Sequence, residues 1–593
     1  MSTMQKTSTL QPGHSAGLAP AWLVVPDGDA SEPDRELVGG KAWSLWRMAS
    51  LGLTVPPAFV VTTEACRAYF DGGKTLPDGL IDELRSGIAG LEAELGRTFG
   101  GSDAPLLVSV RSGAAVSMPG MMDTILNLGF TDDVEAALAA ETGSREFAAD
   151  VNRRFHAFYG QLVLGCVDDL EGHGSAAAVR EAIRAETGVD VPQDPWQQLE
   201  CAVASVFESS RTRRAIAYRK HHGIPQDLGT AVTVQAMVFG NLDDDSGTGV
   251  LFSRNPLSGA REVYGEYLPR GQGEDVVSGR VTPEPLDGLA RRAPAVHDQL
   301  LTAAERLDVE GRDAQDIEFT VQQGTLYMLQ SRPAKRTARA AVRIAVELVD
   351  EGVLTPREAL RRVTPEQVAT VLRPVVDSDA AAAAEMIASG TSACPGVATG
   401  VAVATPEEAE QIPNAVLVRR TTSPEDVHGM IAAVAVVTET GGATSHAAVV
   451  SRALDTPCVV GCADAVSELV GKTITVDAVS GHIYAGELPT VAVDEADDCD
   501  LQRLLAWAVE AAPITVVGDD ADAPQPVFDP AATDGFDPDA TPRVPAGTAS
   551  VTGAVFCRPD ALRAALHAGV TTVVAPRALP VLLSAIALQE ESR

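Results

Sequence analysis

The chain of 593 residues is poor in cysteine, in long apolar runs, and in basic residues relative to acidic ones. Its eight Cys are scattered from Cys66 to Cys557, and the only close pair, Cys458 and Cys462, has the spacing C-x3-C. That is too sparse for a disulfide scaffold and wrong for a zinc knuckle. The longest purely apolar runs, such as residues 431–437, fall far short of the ~20 residues of a membrane-spanning helix. The N-terminus lacks the charged-then-apolar order of a secretory signal. Lys and Arg total 46 against 81 Asp and Glu, a formal net charge of −35. Such a surface repels phosphate backbones and lipid headgroups, so neither nucleic acid nor a membrane is an expected partner, although one local basic site for a small anion is compatible with it. No internal repeat of fixed period is present. What the chain does have is 45% hydrophobic and 21% charged residues, ample for several cores. At ~150 residues per domain the length suggests about four units. The expectation is a cytoplasmic multidomain protein of α/β and α+β class.

Composition divides the chain further. Residues 1–20 are polar and rich in Gly, Pro and Ser, and read as a disordered tail. Residues 21–336 alternate β-branched runs with Ala-rich helical stretches; residues 106–110, 231–239 and 325–330 read as strands, and residues 133–140 and 176–185 as helices. Residues 337–390 read as a helical linker in which Pro356 and Pro365 are natural first residues of separate helices. Residues 391–488 form a compact αβ pattern, with a helix expected after Gly441-Gly442. Residues 489–593 read as a linker, densest in Asp, Pro and Ala over 519–545, followed by a short degenerate βα segment.

Three constellations carry chemistry. The first is the run from Thr438 to Arg452, TETGGATSHAAVVSR. A Gly pair permits a tight strand-to-helix turn, and an imidazole at the start of the following helix lies among backbone N–H groups that can hold phosphoryl oxygens. A neutral imidazole is a good nucleophile near pH 7, so His446 suits a phosphohistidine intermediate, although a lone His beside a Gly turn is more often a surface residue. The second is Asp316-Ile317-Glu318 with Gln330-Ser331-Arg332. In a strand, residues two apart share a face, so the two acids can bridge Mg²⁺ and Arg332 can fork onto a phosphate one strand away. The third is a pair of cations after glycine or strand signals. Lys41 follows two glycines, and Arg111 ends a strand before a Ser-Gly-rich loop able to close over phosphates. Met118, Met121 and Met122 in that loop also suit ordinary packing. Asp243-Asp244-Asp245 reads as a solvated turn and takes no ligand role.

These segments also resemble a known family. GGATSHAAVVSRALDTPCVVGC, with TSPEDVHGM and CPGVATG upstream, resembles the phosphohistidine segment of pyruvate phosphate dikinase and its relatives phosphoenolpyruvate synthase and rifampicin phosphotransferase. Residues 37–70, 106–130, 237–259 and 264–283, together with QDIEFTVQQGTLYMLQSRPAKRTARAAVRIA, resemble the dikinase itself. The resemblance implies an ATP-grasp nucleotide-binding domain over 21–336 and a swivelling β/α phosphohistidine domain over 391–488. It implies that Lys41, Arg111, Glu274, Asp316, Glu318, Gln330 and Arg332 hold ATP and phosphate, and that Asp316 and Glu318 hold Mg²⁺. It further implies Arg254 as an additional phosphate contact, His446 as the phosphorylated residue and Thr444 as a regulatory phosphorylation site. The implied activity is a phosphotransfer in which Mg-ATP and inorganic phosphate yield phospho-His446, AMP and diphosphate.

Departures qualify that resemblance. Ala115 and Thr440 stand where the family commonly has Arg, Ala443 where it has Met, and an aromatic near residues 226–228 is missing. After Leu488 about 105 residues follow, against the ~250 of a TIM barrel that binds pyruvate in the family. The expectation is that the final acceptor site is absent from this chain and sits on a separate acceptor-domain protein. Two rival readings stay open: a non-catalytic nucleotide-binding regulator or decayed paralogue, and an enzyme that acts on a small hydroxylated acceptor. Homo-oligomer formation is left open as well.

Overall fold

A computed structural model describes residues 23–25, 31–114, 124–167, 170, 172–221, 224–225, 228–277, 281–442, 444–493, 495–532, 537 and 540–591. The 1–20 tail, Ala115, the 118–122 stretch, residues 226–227 and Ala443 lie outside the described residues. The fold is mixed α/β and built from several units.

Two five-stranded antiparallel sheets make up the N-terminal half. The first has the order Leu23–Val24, Ala58–Val61, Ala231–Ala236, Val108–Gly113, Thr124–Leu128. Strands Ala58–Val61 and Ala231–Ala236 are buried at every position because both faces are covered, and Thr233 and Gln235 are buried along with their apolar neighbours. Helices Asp132–Thr142, Arg145–Leu162, Ala176–Thr187 and Pro195–Ser209 pack beside it in one core with Phe130, Phe155 and Phe207. The first three start on Thr131, Ser144 and Ser175, whose hydroxyls accept the N–H of the third helical residue.

The second sheet runs Glu284–Pro285, Tyr264–Pro269, Gly247–Phe252, Gln315–Gln322, Thr325–Pro333. Its last two strands form a hairpin turned by Gln323 and Gly324, at φ 50° and 74°. A positive φ at both central residues matches the right-handed twist of the strands they join. Helix Arg35–Ser50 touches strands of both sheets.

The linking helices Ala338–Asp350, Pro356–Leu360 and Pro365–Val371 follow. The last two begin on Thr355 and Thr364 capping boxes, with Pro356 and Pro365 in the first turn. Residues 489–593, which composition suggested to be linker and remnant, instead contain a four-stranded parallel sheet in the order Thr515–Val517, Thr572–Val574, Ser550–Thr552, Val527–Phe528. Helices Cys499–Ala511, Pro559–Ala568 and Ala578–Glu591 flank it, and Leu501, Leu504, Leu579 and Leu582 share a core with Val342, Leu348, Leu360 and Leu372 of the linking helices. Strands of two or three residues leave no period to read, which is why composition dominated there.

Between these parts sits an eight-stranded mixed sheet with the histidine helix His446–Leu454 on it. Its centre is parallel: Val397–Val403, Ala415–Arg419, Ala435–Thr438 and Cys458–Val460. The unit joins the rest through a two-stranded antiparallel neck, Val375–Val376 against Thr490–Val491, and the Asp377 N–H donates to the Pro489 carbonyl 3.0 Å away. Among the described residues no helix is long and apolar enough to cross a membrane.

Candidate active site

The hairpin supplies the floor of the site. Register pairs Asp316 with Arg332 and Glu318 with Gln330, while the neighbouring strand places Phe252 beside Asp316 and Val250 beside Glu318. All six side chains line one cavity of about 820 Å³. Arg332 Nε donates to Asp316 Oδ2 at 2.9 Å, and Arg111 Nη2 to Glu318 Oε2 at 3.1 Å. The Arg111 guanidinium also reaches the Leu329 carbonyl at 3.4 Å and Gln330 Oε1 at 3.5 Å.

Lys41 enters from the turn at the start of the first long helix. Gly39 breaks the helix there at φ 76°, and a Cβ on it would lie 2.0 Å from the Gly113 carbonyl oxygen, so only glycine lets the turn close on the strand that carries Arg111. Burial, with Arg111 and Arg332 nearby, pulls the Lys41 ammonium down to about 7. Burial pushes the Glu274 carboxyl up to about 7. Glu318 would follow the same trend, but Arg111, Arg332 and Lys41 outweigh its burial and hold it below the ordinary carboxylate value. A pocket that gathers Lys41, Arg111 and Arg332 on its wall can receive a polyanion.

The histidine arrives from the other unit. Ser445 caps the His446 helix, accepting the Ala448 N–H, and sets the imidazole at its first residue. Nδ1 lies 3.0 Å from Thr422 Oγ1. Nε2 is buried without a hydrogen-bond partner among the described residues, and the ring lines the same cavity as the cations. Burial drives the His446 pKa down to about 4 against a weaker opposing pull from Asp426, so the ring is neutral at pH 7. The tautomer that donates from Nδ1 to Thr422 leaves the Nε2 lone pair free.

Contacts across the two units seat this turn. The Thr444 N–H donates to Glu266 Oε2 at 3.3 Å, and its hydroxyl donates to the same oxygen. Gly442 approaches so closely that a Cβ would lie 2.3 Å from Glu266 Oε1. Thr440 Oγ1 donates to the Arg420 carbonyl, bracing the turn within its own unit.

The structure therefore brings Lys41, Arg111, Glu274, Asp316, Glu318, Gln330, Arg332, Thr444 and His446 to one cavity. Arg254 is a correction. It is 2% exposed and locked between Asp308 and Glu351, at 2.9 and 2.8 Å, so it is a core ion pair and not a phosphate contact. Sequence reading missed Arg154, which lines the cavity from helix Arg145–Leu162 while paired with Asp150 and Asp275, each at 2.8 Å. It also missed the roles of Thr422 and Glu266. Arg154 stands on a helix whose sequence shows only amphipathicity, and Thr422 and Glu266 act through partners 24 and 178 residues away.

For a divalent cation, the donors fit. Asp316 is 2% exposed and its Oδ1 has no hydrogen-bond partner among the described residues, and Glu318 lies two residues along the same face. Among the described residues no group of three or more His, Cys, Asp or Glu is arranged around a common metal position, so a hard cation here would take its remaining oxygens from phosphate.

Lys41, Arg111 and Arg332 line one cavity with the buried Asp316 and the half-buried Glu318, and a neutral histidine from a second unit lines the same cavity. Residues 35–78 and 74–296 match the family model described as pyruvate phosphate dikinase, AMP/ATP-binding domain, and residues 411–481 match PEP-utilising enzyme, mobile domain. The chain is 41% identical over 540 residues to pyruvate, phosphate dikinase of Rhizobium meliloti (strain 1021), covering 82% of this chain and 60% of that one. It is 43% identical over 530 residues to chloroplastic pyruvate, phosphate dikinase 1 of Zea mays, with 83% and 56% covered. The Clostridium symbiosum enzyme is 41% identical over 532 residues, with 82% and 60% covered. The chain belongs to the pyruvate, phosphate dikinase family. It spans about 60% of the length of these curated relatives.

Proposed function

We propose that this chain carries the nucleotide half of a dikinase reaction, with His446 as the phosphoryl acceptor. The observation that carries the reading is the unpaired Nε2 of a neutral His446 on the wall of the cavity that holds Lys41, Arg111 and Arg332. In this reading the first two sheets with their helices form an ATP-grasp domain. The histidine unit is a swivelling carrier, and its paired neck supports that assignment.

ATP lies with its phosphates among Lys41, Arg111 and Arg332. Asp316 and Glu318 would hold Mg²⁺, which supplies neutralisation of phosphate oxygens in place. His446 Nε2 attacks the β-phosphorus. The N–P bond forms, the bond from that phosphorus to the α,β-bridging oxygen breaks, and AMP leaves with the electron pair. The ring now carries positive charge, which Thr422 Oγ1 at Nδ1–H and the Asp426 carboxylate stabilise. An oxygen of inorganic phosphate then attacks the terminal phosphorus of the pyrophosphoryl-histidine. Diphosphate leaves and phospho-His446 remains. Burial of the site keeps water from taking the phosphoryl group. No described residue is assigned to the pyruvate half-reaction.

Incubation with ATP labelled at the β-phosphate is the test. The wild type should be labelled and release AMP, and His446→Ala should stay unlabelled while still binding ATP. Nucleotide binding without label or AMP in the wild type overturns the reading and leaves a nucleotide-binding regulator.

A further inference from the structure

The helix that bears His446 also carries a buried cation that the chemistry above leaves unused. Arg452 is 4% exposed. Its Nη1 donates to the Ala393 carbonyl at 3.0 Å, inside the histidine unit, but Nε and Nη2 have no hydrogen-bond partner among the described residues. Burial pulls the guanidinium below its ordinary value, so holding it there costs free energy that some contact must offset.

Two groups of the nucleotide-binding sheet lie in position to do so. The guanidinium carbon sits 5.7 Å from the centre of the Phe252 ring, across the boundary between the units. Phe252 is itself fully buried, and register makes it the cross-strand neighbour of Asp316, whose other neighbour is Arg332. Cross-strand neighbours project from one face with Cβ atoms about 5 Å apart. A row therefore forms in the order Arg452, Phe252, Asp316, Arg332. Asp316 Oδ2 is taken by Arg332, and Oδ1 has no partner. The charges of Asp316 and Arg452 act on each other in the expected directions. A desolvated cation over an aromatic face is held more strongly than an exposed one.

We propose that Arg452 is a positioning residue: by stacking on Phe252 and turning its unpaired edge to the Asp316 row, it seats the histidine helix on the nucleotide-binding sheet and so delivers His446 to the cavity. The role rests on the phosphotransfer reading only for its consequence in turnover. The seating itself is a contact between two units and is measurable without ATP.

The readout is the Thr444 amide, whose N–H crosses the same boundary to Glu266 and is therefore exchange-protected only while the units are seated. In hydrogen exchange resolved to that residue, Arg452→Met should speed Thr444 exchange about tenfold, the size expected for losing one desolvated cation–π contact. Phe252→Leu, made on the opposite unit, should act in the same direction, and the double variant should be no faster than the stronger single one. Arg452→Lys, which keeps the charge and the fold, should fall between. The His446 labelling rate should drop in step, with nucleotide affinity unchanged in Arg452→Met. Unchanged Thr444 protection in Arg452→Met overturns the proposal, as does full additivity of the two substitutions, because a cation that only braces Ala393 would not be coupled to Phe252. An unlabelled wild type would sink the phosphotransfer reading while these exchange results still decide the role of Arg452.

Discussion

Thr422→Val tests the histidine site without touching a charge. Thr422 is 3% exposed, and among the described residues its hydroxyl is the one hydrogen-bond partner of the His446 ring. Its replacement by a methyl of similar volume leaves the ring nearly as packed but strands Nδ1–H in a buried place. An unsatisfied buried donor costs about 1–3 kcal/mol. The ring can avoid that cost in two ways: it turns toward another acceptor, or it moves its proton to Nε2 and hides the lone pair needed for attack. The first response misaligns Nε2 and the second removes its lone pair, so the whole penalty appears in the phosphoryl-transfer step. That corresponds to a rate about 5- to 160-fold lower, at 1.36 kcal/mol per decade. Rapid-quench single turnovers at saturating labelled ATP measure the step directly, and a nucleotide Kd equal to wild type shows that the cavity is intact. Thr422→Ser should recover most of the rate, because it restores the oxygen. Since His446 has a pKa of about 4, the defect should hold constant from pH 8 to 5.5 and not vanish at high pH. A Thr422→Val protein labelled at the wild-type rate, or a Ser variant as slow as the Val one, refutes the reasoning.

Arg254→Met leaves the buried Asp308 and the half-buried Glu351 against a neutral side chain and should cost about 3–5 kcal/mol in urea unfolding, with no change in nucleotide affinity. Gly39→Ala would drive a Cβ into the Gly113 carbonyl and should abolish ATP binding measured by calorimetry, by displacing Lys41 from Arg111. Acid stability offers a third check. Burial lowers the pKa of His156 and of His446 to about 4, so below the ordinary 6.5 the unfolded chain binds more protons than the folded one. Stability should therefore be complete above that value and fall as pH drops toward 4, by ~3 kcal/mol for each ring. The slope of Tm against pH between 6.5 and 4.5 should become shallower in His156→Gln, and an unchanged slope contradicts the assignment.

The parts of the site written in local pattern were legible from sequence. Asp316 and Glu318 share a face because a strand has period two, and the Gln323-Gly324 turn sets the register that brings Gln330 and Arg332 opposite them. The Gly441-Gly442 turn before an Ala/Val helix likewise marked where His446 would stand. Long-range partners were not legible. Thr422, Glu266, Arg154 and Arg452 acquire meaning only through packing between distant elements. Arg254 misled because an Arg after a buried strand looks alike whether phosphate or two core carboxylates await it. The C-terminal sheet was hidden for a different reason: its strands are too short to show a period, and its loops carry the Asp and Pro that dominated the composition.

The neck below the histidine unit has a mechanical consequence. Because Val375–Val376 and Thr490–Val491 are hydrogen-bonded side by side, both tethers of the unit leave the body through one point, their Cα atoms about 5 Å apart. In the proposed carrier role, two separated tethers would resist rotation like a door on two hinges, whereas one paired stalk would serve as a single pivot. The same feature makes the unit a cassette. Residues 377–489 could be excised and the stalk closed with a short turn, or an unrelated domain with adjacent termini could be grafted in their place, without asking the two antiparallel sheets or the C-terminal layer to refold.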